Sequence, residues 1–355
     1  MTDRPDRPAA APGATRPPPD SLARARAAVV PALEAAVERL NGDMRRMAAY
    51  HMGWTDADGA RLEAPGGKMI RPALAMLSAE AAWADAEVGV PGGVAVELVH
   101  NYSLVHDDII DGDLERHHRP TVWSVFGVGP AIVAGDALAV LAQQVLLEVG
   151  PTGAAATRLL AEATAEMISG QADDIAFERR ATVSVDECVA MAAAKTGALL
   201  GAASSIGAVL AGAPGATVGA LRDFGAHLGL AFQAVDDLLG IWGDPARTGK
   251  PAGNDLRRRK KSLPVVAALA AGGDEADELR SLVVADPRAV DEPLDDDAVD
   301  RAAYLVEACG GREWARTRAK SHLDAALGAL ERVRLSPVPH RALADIAVYV
   351  VERES

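Results

Sequence analysis

Apolar residues recur every three to four positions over long stretches of this chain, which places them on one face of an α-helix. Short breaks rich in glycine and proline separate these stretches. No segment shows the period-two alternation that would indicate a strand. The pattern predicts helices near residues 22–40, 69–87, 93–112, 130–148, 152–180, 185–211, 215–241, 260–271, 296–310, 312–333 and 338–352.

The first twenty residues differ in composition from the rest of the chain. Residues 1–20 carry six prolines and no large apolar side chain, so we expect a disordered tail, which is either inert or a docking segment for a partner. No linker or internal repeat follows residue 21, so residues 21–355 are predicted to form one domain. Within it, Gly53–Gly67 should be a loop, and the acidic segment Gly272–Asp297 a loop with one short helix.

Composition narrows the class of protein. With 49% apolar and only 4% aromatic residues among 355, the chain suits a large all-α core of about ten or more helices. The formal net charge of -14 argues against nucleic acid or anionic membranes as partners. Two cysteines, with no disulfide framework, fit a reducing compartment, and we expect a cytoplasmic location. No apolar run is judged long and uninterrupted enough to span a membrane.

The most informative stretch follows an apolar helix that starts at Gly93. Five carboxylates fall within the nine residues 107–115. Asp107 and Asp111 are i and i+4, so on a helix they share a face about 6 Å apart along the axis, with Asp108 beside them. Oxygen ligands in such a loose cluster suit Mg²⁺, which prefers one or two carboxylates plus substrate phosphates. A solvated acidic helix end is the alternative.

A second acidic pair argues against that alternative. Asp236 and Asp237 end another apolar helix about 130 residues later, and Gln233 lies one turn before Asp237. Two such pairs, each ending an apolar helix, could face each other across a cavity in a helical bundle.

Cationic side chains accompany both acidic pairs. Lys68 and Arg71 start a helix, Arg116 follows the first pair, and Lys195 interrupts a very apolar helix, where it needs a partner. Lys250 and Lys260 follow the second pair. A further basic group is predicted to be solvated: Arg257, Arg258, Arg259 and Lys261. Carboxylates, metals and separate cations together indicate a site for one or two diphosphates.

These residues resemble the trans-isoprenyl diphosphate synthase family, all-α enzymes that add isopentenyl diphosphate to an allylic diphosphate. The similarity runs from Gly67 to about Pro264, and the motifs are specific in combination. They are GKxxRP at Gly67–Pro72, DDxxD at Asp107–Asp111, GQ at Gly170–Gln171, KT at Lys195–Thr196, FQxxDD at Phe232–Asp237 and GK at Gly249–Lys250.

The resemblance implies the isoprenoid synthase fold, a single-domain bundle around a deep central cavity, a homodimer and three Mg²⁺ per site. It implies that Asp107 and Asp111 hold two metals and Asp236 the third, with Asp108 and Asp237 also counted as catalytic. Arg116, Lys195, Gln233 and Lys250 would bind the allylic diphosphate, with Thr196 and Lys260 beside them. Lys68, Arg71 and His100 would bind isopentenyl diphosphate, with His117 as a further candidate.

The chain departs from the family pattern at two positions. Gly240 stands where many relatives have aspartate, although Asp236 does the main ligation in the family. His117 stands where the second of two arginines is common, and the charge of a histidine depends on pH. His106 and His118 are interpreted as structural or peripheral.

Two rival functions stay open. A cyclase on the same fold should lose the acceptor cations, and a non-catalytic subunit should lose the acidic pairs. Both groups are intact here, so we expect an elongating prenyltransferase. The growing chain should run back along the helix from Asp107, past the small Ser103 toward the bulky Tyr102. The resemblance implies that a large residue there acts as a floor for the chain, so we expect geranylgeranyl diphosphate (C20) as the main product and farnesyl diphosphate (C15) as the second.

Overall fold

The computed structural model describes residues 17–62, 67–244, 252–284 and 293–352, and helices dominate these residues. The α-helices are α1 (Asp20–Val37), α2 (Gly42–His51), α3 (Ile70–Ala81), α4 (Val90–Ile110), α5 (Val122–Phe126), α6 (Val128–Leu147), α7 (Gly153–Glu178), α8 (Val185–Ala192), α9 (Ala198–Leu210), α10 (Gly215–Trp242), α11 (Asn254–Arg257), α12 (Leu263–Ala271), α13 (Asp274–Val283), α14 (Asp296–Ala308), α15 (Gly311–Leu330) and α16 (Pro337–Val351). A 3₁₀ turn at Ala86–Gly89 precedes α4, and a π-helix at Ala193–Gly197 joins α8 to α9.

The all-α prediction is confirmed, but several local elements were missed, among them the short helices α5 and α11. Helix α2 lies in a stretch for which no helix was predicted. A hairpin of two short strands, β1 (Glu115–Arg116) and β2 (Arg119–Pro120), follows α4. The short helix expected in the acidic segment 272–297 is α13.

The core forms where α3, α4, α9 and α10 meet. Leu74, Leu98, Ile206 and Leu228, one from each helix, are completely buried. Such leucine-rich and isoleucine-rich contacts supply most of the stability of a helical bundle, because isolated helices are marginal in water. The core therefore fixes α4 and α10, the two helices that carry the acidic pairs.

The π-helix lies where α7 approaches it closely. A Cβ on Gly170 would lie 2.4 Å from the backbone nitrogen of Lys195, so only glycine fits there. Single-turn π segments inside α-helices often occur at functional sites. The GQ and KT motifs meet at this contact.

One face of α6 is apolar and exposed. By length and composition α6 and the stretch Val185–Leu210 could each cross a membrane, but the same test is passed by core helices of soluble proteins. The stretch Val185–Leu210 is mostly buried, whereas only 39% of the α6 window is. The exposed apolar side chains on and around α6 are Val125, Val128, Ile132, Val133, Val140, Leu147 and Ile168.

Some predictions fall outside the described residues. The structure does not describe residues 1–16, which make up most of the predicted tail, or residues 245–251, which include Lys250. The tail, the single domain over residues 21–355 and the role of Lys250 stay predictions.

Candidate active site

Helix α4 carries two chemically different groups of side chains. His100, Leu104 and Asp108 follow each other at helical spacing and line one cavity of about 890 Å³. Asp107 and Asp111 do not line that cavity and form a separate acidic group at the C-terminal end of the helix, called the acidic side below. The consecutive aspartates Asp107 and Asp108 therefore serve different environments, although the sequence analysis grouped them.

The acidic side begins at the C-terminal end of α4. Asp111 ends the helix, and its backbone N–H donates to the carbonyl of Asp107 at 2.8 Å. Burial raises the pKa of Asp107, Lys195 lowers it and the neighbouring Asp111 raises it. The carboxylates of Asp107 and Asp111 are thus close together and only partly neutralised by the protein. A bound cation would offset the unfavourable free energy of burying this negative charge.

Two lysines beside the acidic side, Lys195 and Lys260, interact with further carboxylates. Lys195 Nζ donates to Asp174 Oδ2 at 2.6 Å. Burial lowers the pKa of Lys260, but Asp255, Asp174, Asp237 and Asp236 together raise it above its usual value. Lys260 therefore remains charged at the centre of four carboxylates.

Asp237 connects two helices by accepting two hydrogen bonds. It is 4% exposed, and burial raises its pKa to about 7. Its Oδ1 accepts from Gln233 Nε2 at 2.7 Å, and its Oδ2 accepts from the backbone N–H of Leu263 at 2.9 Å. Thr196 Oγ1 donates to Gln233 Oε1 at 2.7 Å. The predicted motif residues Thr196, Gln233 and Asp237 thus form one network joining the π-helix, α10 and α12.

The departure at Gly240 has a physical explanation. A Cβ on Gly240 would lie 2.3 Å from Asp255 Oδ2. The Asp255 carboxylate therefore lies against the position where many relatives carry an aspartate. It also contributes to the charge balance of Lys260.

The other group of α4 side chains borders the cavity. Five residues predicted to bind substrate line it: Lys68, Arg71, His100, Arg116 and His117. Arg116 is oriented by Asp108, which is 1% exposed and accepts from Arg116 Nη2 at 2.7 Å and from Nε at 2.8 Å. Burial raises the pKa of Asp108 to about 6, and Arg116 opposes this increase. The structure thus places Asp108 as the support of a cavity arginine.

The β1–β2 hairpin carries the cavity residues Arg116 and His117. Its two turn residues, His117 and His118, have φ values of 52° and 60°. A two-residue hairpin turn with positive φ at both positions normally favours Asn-Gly, so two histidines are an unusual and strained choice.

The same hairpin is fixed to the end of α2. Arg119 Nη1 donates to the carbonyl of Tyr50 at 3.0 Å, and its Nη2 donates to the carbonyl of Thr55 at 2.9 Å. Tyr50 Oη donates to the carbonyl of Pro120 at 2.7 Å. The turn histidine His117 is therefore held near the C-terminal end of α2.

Sequence reasoning missed several residues of the cavity. His51, Glu97 and Arg119 line it together with the predicted cations. Glu97 is 8% exposed, and burial raises its pKa while Arg71 lowers it. The spacing offered a signal, because Glu97 lies one turn before His100 on the same helix.

The predicted chain-length residues lie on a third side of α4. The Tyr102 ring packs edge-to-face against the His106 ring, with centroids 4.9 Å apart. His106 Nε2 is 3.0 Å from the carbonyl of Ile132 on α6, in agreement with the structural role expected for it. Ser103 Oγ donates to the carbonyl of His100 at 2.8 Å. Neither Tyr102 nor Ser103 lines the described cavity.

The prediction of a solvated basic group after α10 is wrong for Lys261, whereas Arg258 is exposed as expected. Lys261 is 6% exposed, and its Nζ donates to the carbonyl of Glu178 at 3.2 Å. Arg258 pairs with Asp113, beyond the first acidic pair, and its Nη2 contacts the carbonyl of Asp111 at 3.3 Å. Residues distant in sequence therefore brace the end of α4, which no local pattern could reveal.

The donor set fits Mg²⁺ bound together with a phosphate ligand. Within the part of the chain that the structure describes, no three His, Cys, Asp or Glu side chains converge into a metal site made of protein alone. Magnesium retains waters and is usually held by one or two carboxylates plus substrate phosphates. Asp107, Asp111 and Asp236 match that requirement.

Comparison with known proteins assigns the family. The family model described as "Polyprenyl synthetase" matches residues 57–295. This chain belongs to the polyprenyl synthetase family. The match covers every motif quoted above, so the family assignment and the site geometry concern the same residues.

Relatives and solved structures agree with this assignment. The chain is 46% identical over 328 residues to a (2E,6E)-farnesyl diphosphate synthase of Mycobacterium tuberculosis, covering 92% of this chain and 91% of the relative. It is 45% identical over 318 residues to a geranylgeranyl diphosphate synthase of the same species, covering 89% of each. A crystal structure of a polyprenyl synthetase from Streptomyces coelicolor superposes with a TM-score of 0.88 at 51% identity, covering 94% of this chain and 99% of that one.

A more distant member was solved with ligands. The geranylgeranyl pyrophosphate synthase of Corynebacterium glutamicum, 26% identical, superposes with a TM-score of 0.81 over 95% of this chain and 100% of that one. Its crystal structure contains isoprenyl diphosphate and magnesium.

Proposed function

We propose that this protein is a Mg²⁺-dependent prenyltransferase that condenses isopentenyl diphosphate with allylic diphosphates. The observation that carries the proposal is that α4 carries two different groups of side chains. One group is the carboxylates Asp107 and Asp111 near the C-terminal end, and the other borders a cavity lined by Lys68, Arg71 and His100. Two diphosphate substrates require two such sites, because each carries its own charge and both must lie side by side to react.

The donor site is the acidic side of α4. Asp107, Asp111 and Asp236 would hold divalent metal, and we infer three Mg²⁺ when the allylic diphosphate is bound. Bound metal would neutralise the leaving diphosphate as its C–O bond breaks. Lys195 and Gln233 are held near this side by Asp174 and Asp237, so they are positioned to donate to diphosphate oxygens. The family role of Lys250 completes this proposal.

The acceptor site is the cavity bordered by His100, Leu104 and Asp108. Lys68, Arg71, His100 and His117 would hold isopentenyl diphosphate and aim its double bond at the allylic carbon. The C–O bond of the allylic diphosphate breaks and its electron pair leaves with the diphosphate. The double bond then attacks the carbocation to form a C–C bond, and a proton is lost to the departed diphosphate. Apolar walls such as Leu228 and Leu200 exclude water from the cation.

Product length is proposed as C20 first and C15 second. Relatives of nearly equal identity carry both names, so overall similarity does not separate the two lengths. The bulky Tyr102 beside Asp107 supports a floor that stops elongation after the C20 product.

The test is a product assay. Purified protein is incubated with Mg²⁺, labelled isopentenyl diphosphate and, in turn, dimethylallyl, geranyl and farnesyl diphosphate. An elongated diphosphate supports the proposal. A cyclic hydrocarbon would replace it with a cyclase on the same fold, and no product with any primer would favour a non-catalytic subunit.

We also propose a homodimer in the cytoplasm. Helix α6 has an exposed apolar face that includes Ile132, Val133 and Val140. Several exposed apolar side chains on one face favour burial against a second copy of the chain. Light scattering after size exclusion should give twice the chain mass of 36.8 kDa. Val133→Asp should shift the protein toward the monomer, and a monomeric parent would contradict the dimer.

A further inference from the structure

His51 is a cavity residue that no motif of the sequence analysis includes. It is the last residue of α2 and lines the same cavity as Lys68, Arg71 and Arg116. Its neighbours in electrostatic range are Arg116, Arg119 and His117, and His51 itself acts on His100. Three histidines from α2, α4 and the hairpin turn therefore converge where the acceptor diphosphate is proposed to bind.

The position of His51 is fixed by the surrounding backbone. Arg119 donates to the carbonyl of Tyr50, the residue before His51, and the Tyr50 hydroxyl donates to the carbonyl of Pro120. These contacts lock the end of α2 to the strand that follows His117. The C-terminal end of a helix also favours a positive charge, because its carbonyl groups point outward there.

The carboxylates of the cavity do not neutralise this cluster completely. Asp108 is tied to Arg116 at 2.7 Å, and Glu34 is tied to Arg61 at 2.6 Å. Glu97 acts mainly on Arg71. The groups that face His51 are thus mostly cationic or neutral, which is an environment suited to an anion.

The protonation state of His51 follows from these neighbours. Burial, and then Arg116, Arg119 and His117, lower its pKa to about 3, so the imidazole is neutral near pH 7 without a ligand. Burial and Arg71 likewise hold the pKa of His100 well below its usual value. A bound diphosphate reverses the sign of the local potential and so favours the imidazolium form.

We propose that His51 is a further ligand of the acceptor diphosphate and that it binds as imidazolium, so that isopentenyl diphosphate takes up a proton on binding. This inference rests on the proposed function and adds a residue outside the family motifs. It also explains how the acceptor site tolerates His117 in place of an arginine, since His51 can supply positive charge when the ligand arrives.

Calorimetry can count the proton. Isopentenyl diphosphate is titrated into the full chain at pH 7 with EDTA, which keeps metal from the acidic side. The titration is repeated in buffers of different ionisation enthalpy, so the observed enthalpies report the protons taken up. We expect net uptake in the wild type. We expect His51→Asn to reduce it by close to one proton and to raise Kd about tenfold, the scale of one charged hydrogen bond.

A matched control is available in His322. It is also partly buried, and burial, followed by His227 and Arg318, lowers its pKa, but it lies on α15 against His227 and away from the cavity. His322→Asn should leave both Kd and proton uptake unchanged. Unchanged uptake in a folded His51→Asn protein would overturn the proposal.

Two further outcomes keep the result decisive. If His51→Asn and His51→Gln both fail to fold, the double variant His100→Asn/His117→Arg leaves His51 as the histidine of this cluster. Retained uptake then supports the proposal, and no uptake overturns it. A wild type that does not bind isopentenyl diphosphate would contradict the proposed function itself, whereas normal binding with no change in the His51 variants contradicts this inference alone.

Discussion

The acidic side and the cavity side of α4 differ in the charge that each offers to a diphosphate. On the acidic side, Asp107 and Asp111 carry negative charge, and Lys195 is already paired with Asp174. On the cavity side, Lys68 and Arg71 carry positive charge themselves. The first side needs metal ions, in addition to donors such as Lys195 and Gln233, to bind an anion, whereas the second side needs none.

This difference assigns different chemistry to the two sides. Metal ions placed against a leaving group stabilise the charge that develops as its bond breaks. Side-chain cations bind an anion that keeps its bond throughout the reaction. The substrate that ionises therefore belongs on the acidic side, and the substrate that attacks belongs in the cavity.

Loss of a metal ligand should produce the largest effect. Asp107→Ala or Asp236→Ala should reduce turnover at least a thousandfold, because each removes a carboxylate needed to hold Mg²⁺ against the diphosphate. Circular dichroism should be unchanged. Asp173→Ala, at an exposed carboxylate on α7, is the control and should keep normal activity. Near-normal activity of a folded Asp107 or Asp236 variant would contradict the assignment of the acidic side.

The cavity side should respond to pH through His117. KM for isopentenyl diphosphate should rise as pH climbs past about 6.5, because an imidazole that loses its proton no longer attracts diphosphate. His117→Arg should flatten part of that rise and lower KM by about three- to tenfold at pH 8, since arginine stays charged. KM for the allylic substrate should not change. His118→Arg is the control, and an unchanged pH profile in His117→Arg would remove His117 from the acceptor site.

Tyr102→Ala tests the path proposed for the growing chain along α4. Removal of the ring beside His106 should open space along α4 and lengthen the product by one or more C5 units. Product chromatography measures this change directly. Tyr304→Ala, at an exposed tyrosine on α14, should not alter the product. An active Tyr102→Ala variant with the parental chain-length distribution would place the floor elsewhere.

The smallest effect should come from the strained hairpin turn on the cavity side. His118 has φ of 60°, a conformation that costs roughly 1–2 kcal/mol for a residue with a Cβ. His118→Gly should therefore stabilise the fold by up to about 1 kcal/mol, after the entropy that glycine gains in the unfolded chain. His340→Gly, inside α16, should destabilise by a similar amount. Thermal unfolding gives both values, and a lower Tm for His118→Gly would contradict the strain.

Sequence patterns predicted the helices and the cavity cations because both depend on local spacing. The DDxxD and GKxxRP motifs placed Asp107 and Arg71 on helix ends, where the structure has them, whereas Lys68 lies two residues before α3. The patterns could not assign different roles to Asp107 and Asp108, because the residues that surround each of them come from distant parts of the chain. The same reason explains why His51 was missed. Helix α2 was not predicted, and the hairpin that brings His117 close to it depends on tertiary contacts of Arg119.

The most direct test of the account is the metal dependence of binding for each substrate alone. Calorimetry with isopentenyl diphosphate and, separately, geranyl diphosphate is performed with Mg²⁺ and with EDTA. Isopentenyl diphosphate should bind with nearly the same Kd in both conditions, whereas geranyl diphosphate should lose at least a hundredfold in affinity with EDTA. Asp107→Ala should abolish the metal effect for geranyl diphosphate and leave isopentenyl diphosphate unaffected. Equal metal dependence for the two substrates would contradict the division into a metal-requiring acidic side and a cationic cavity side.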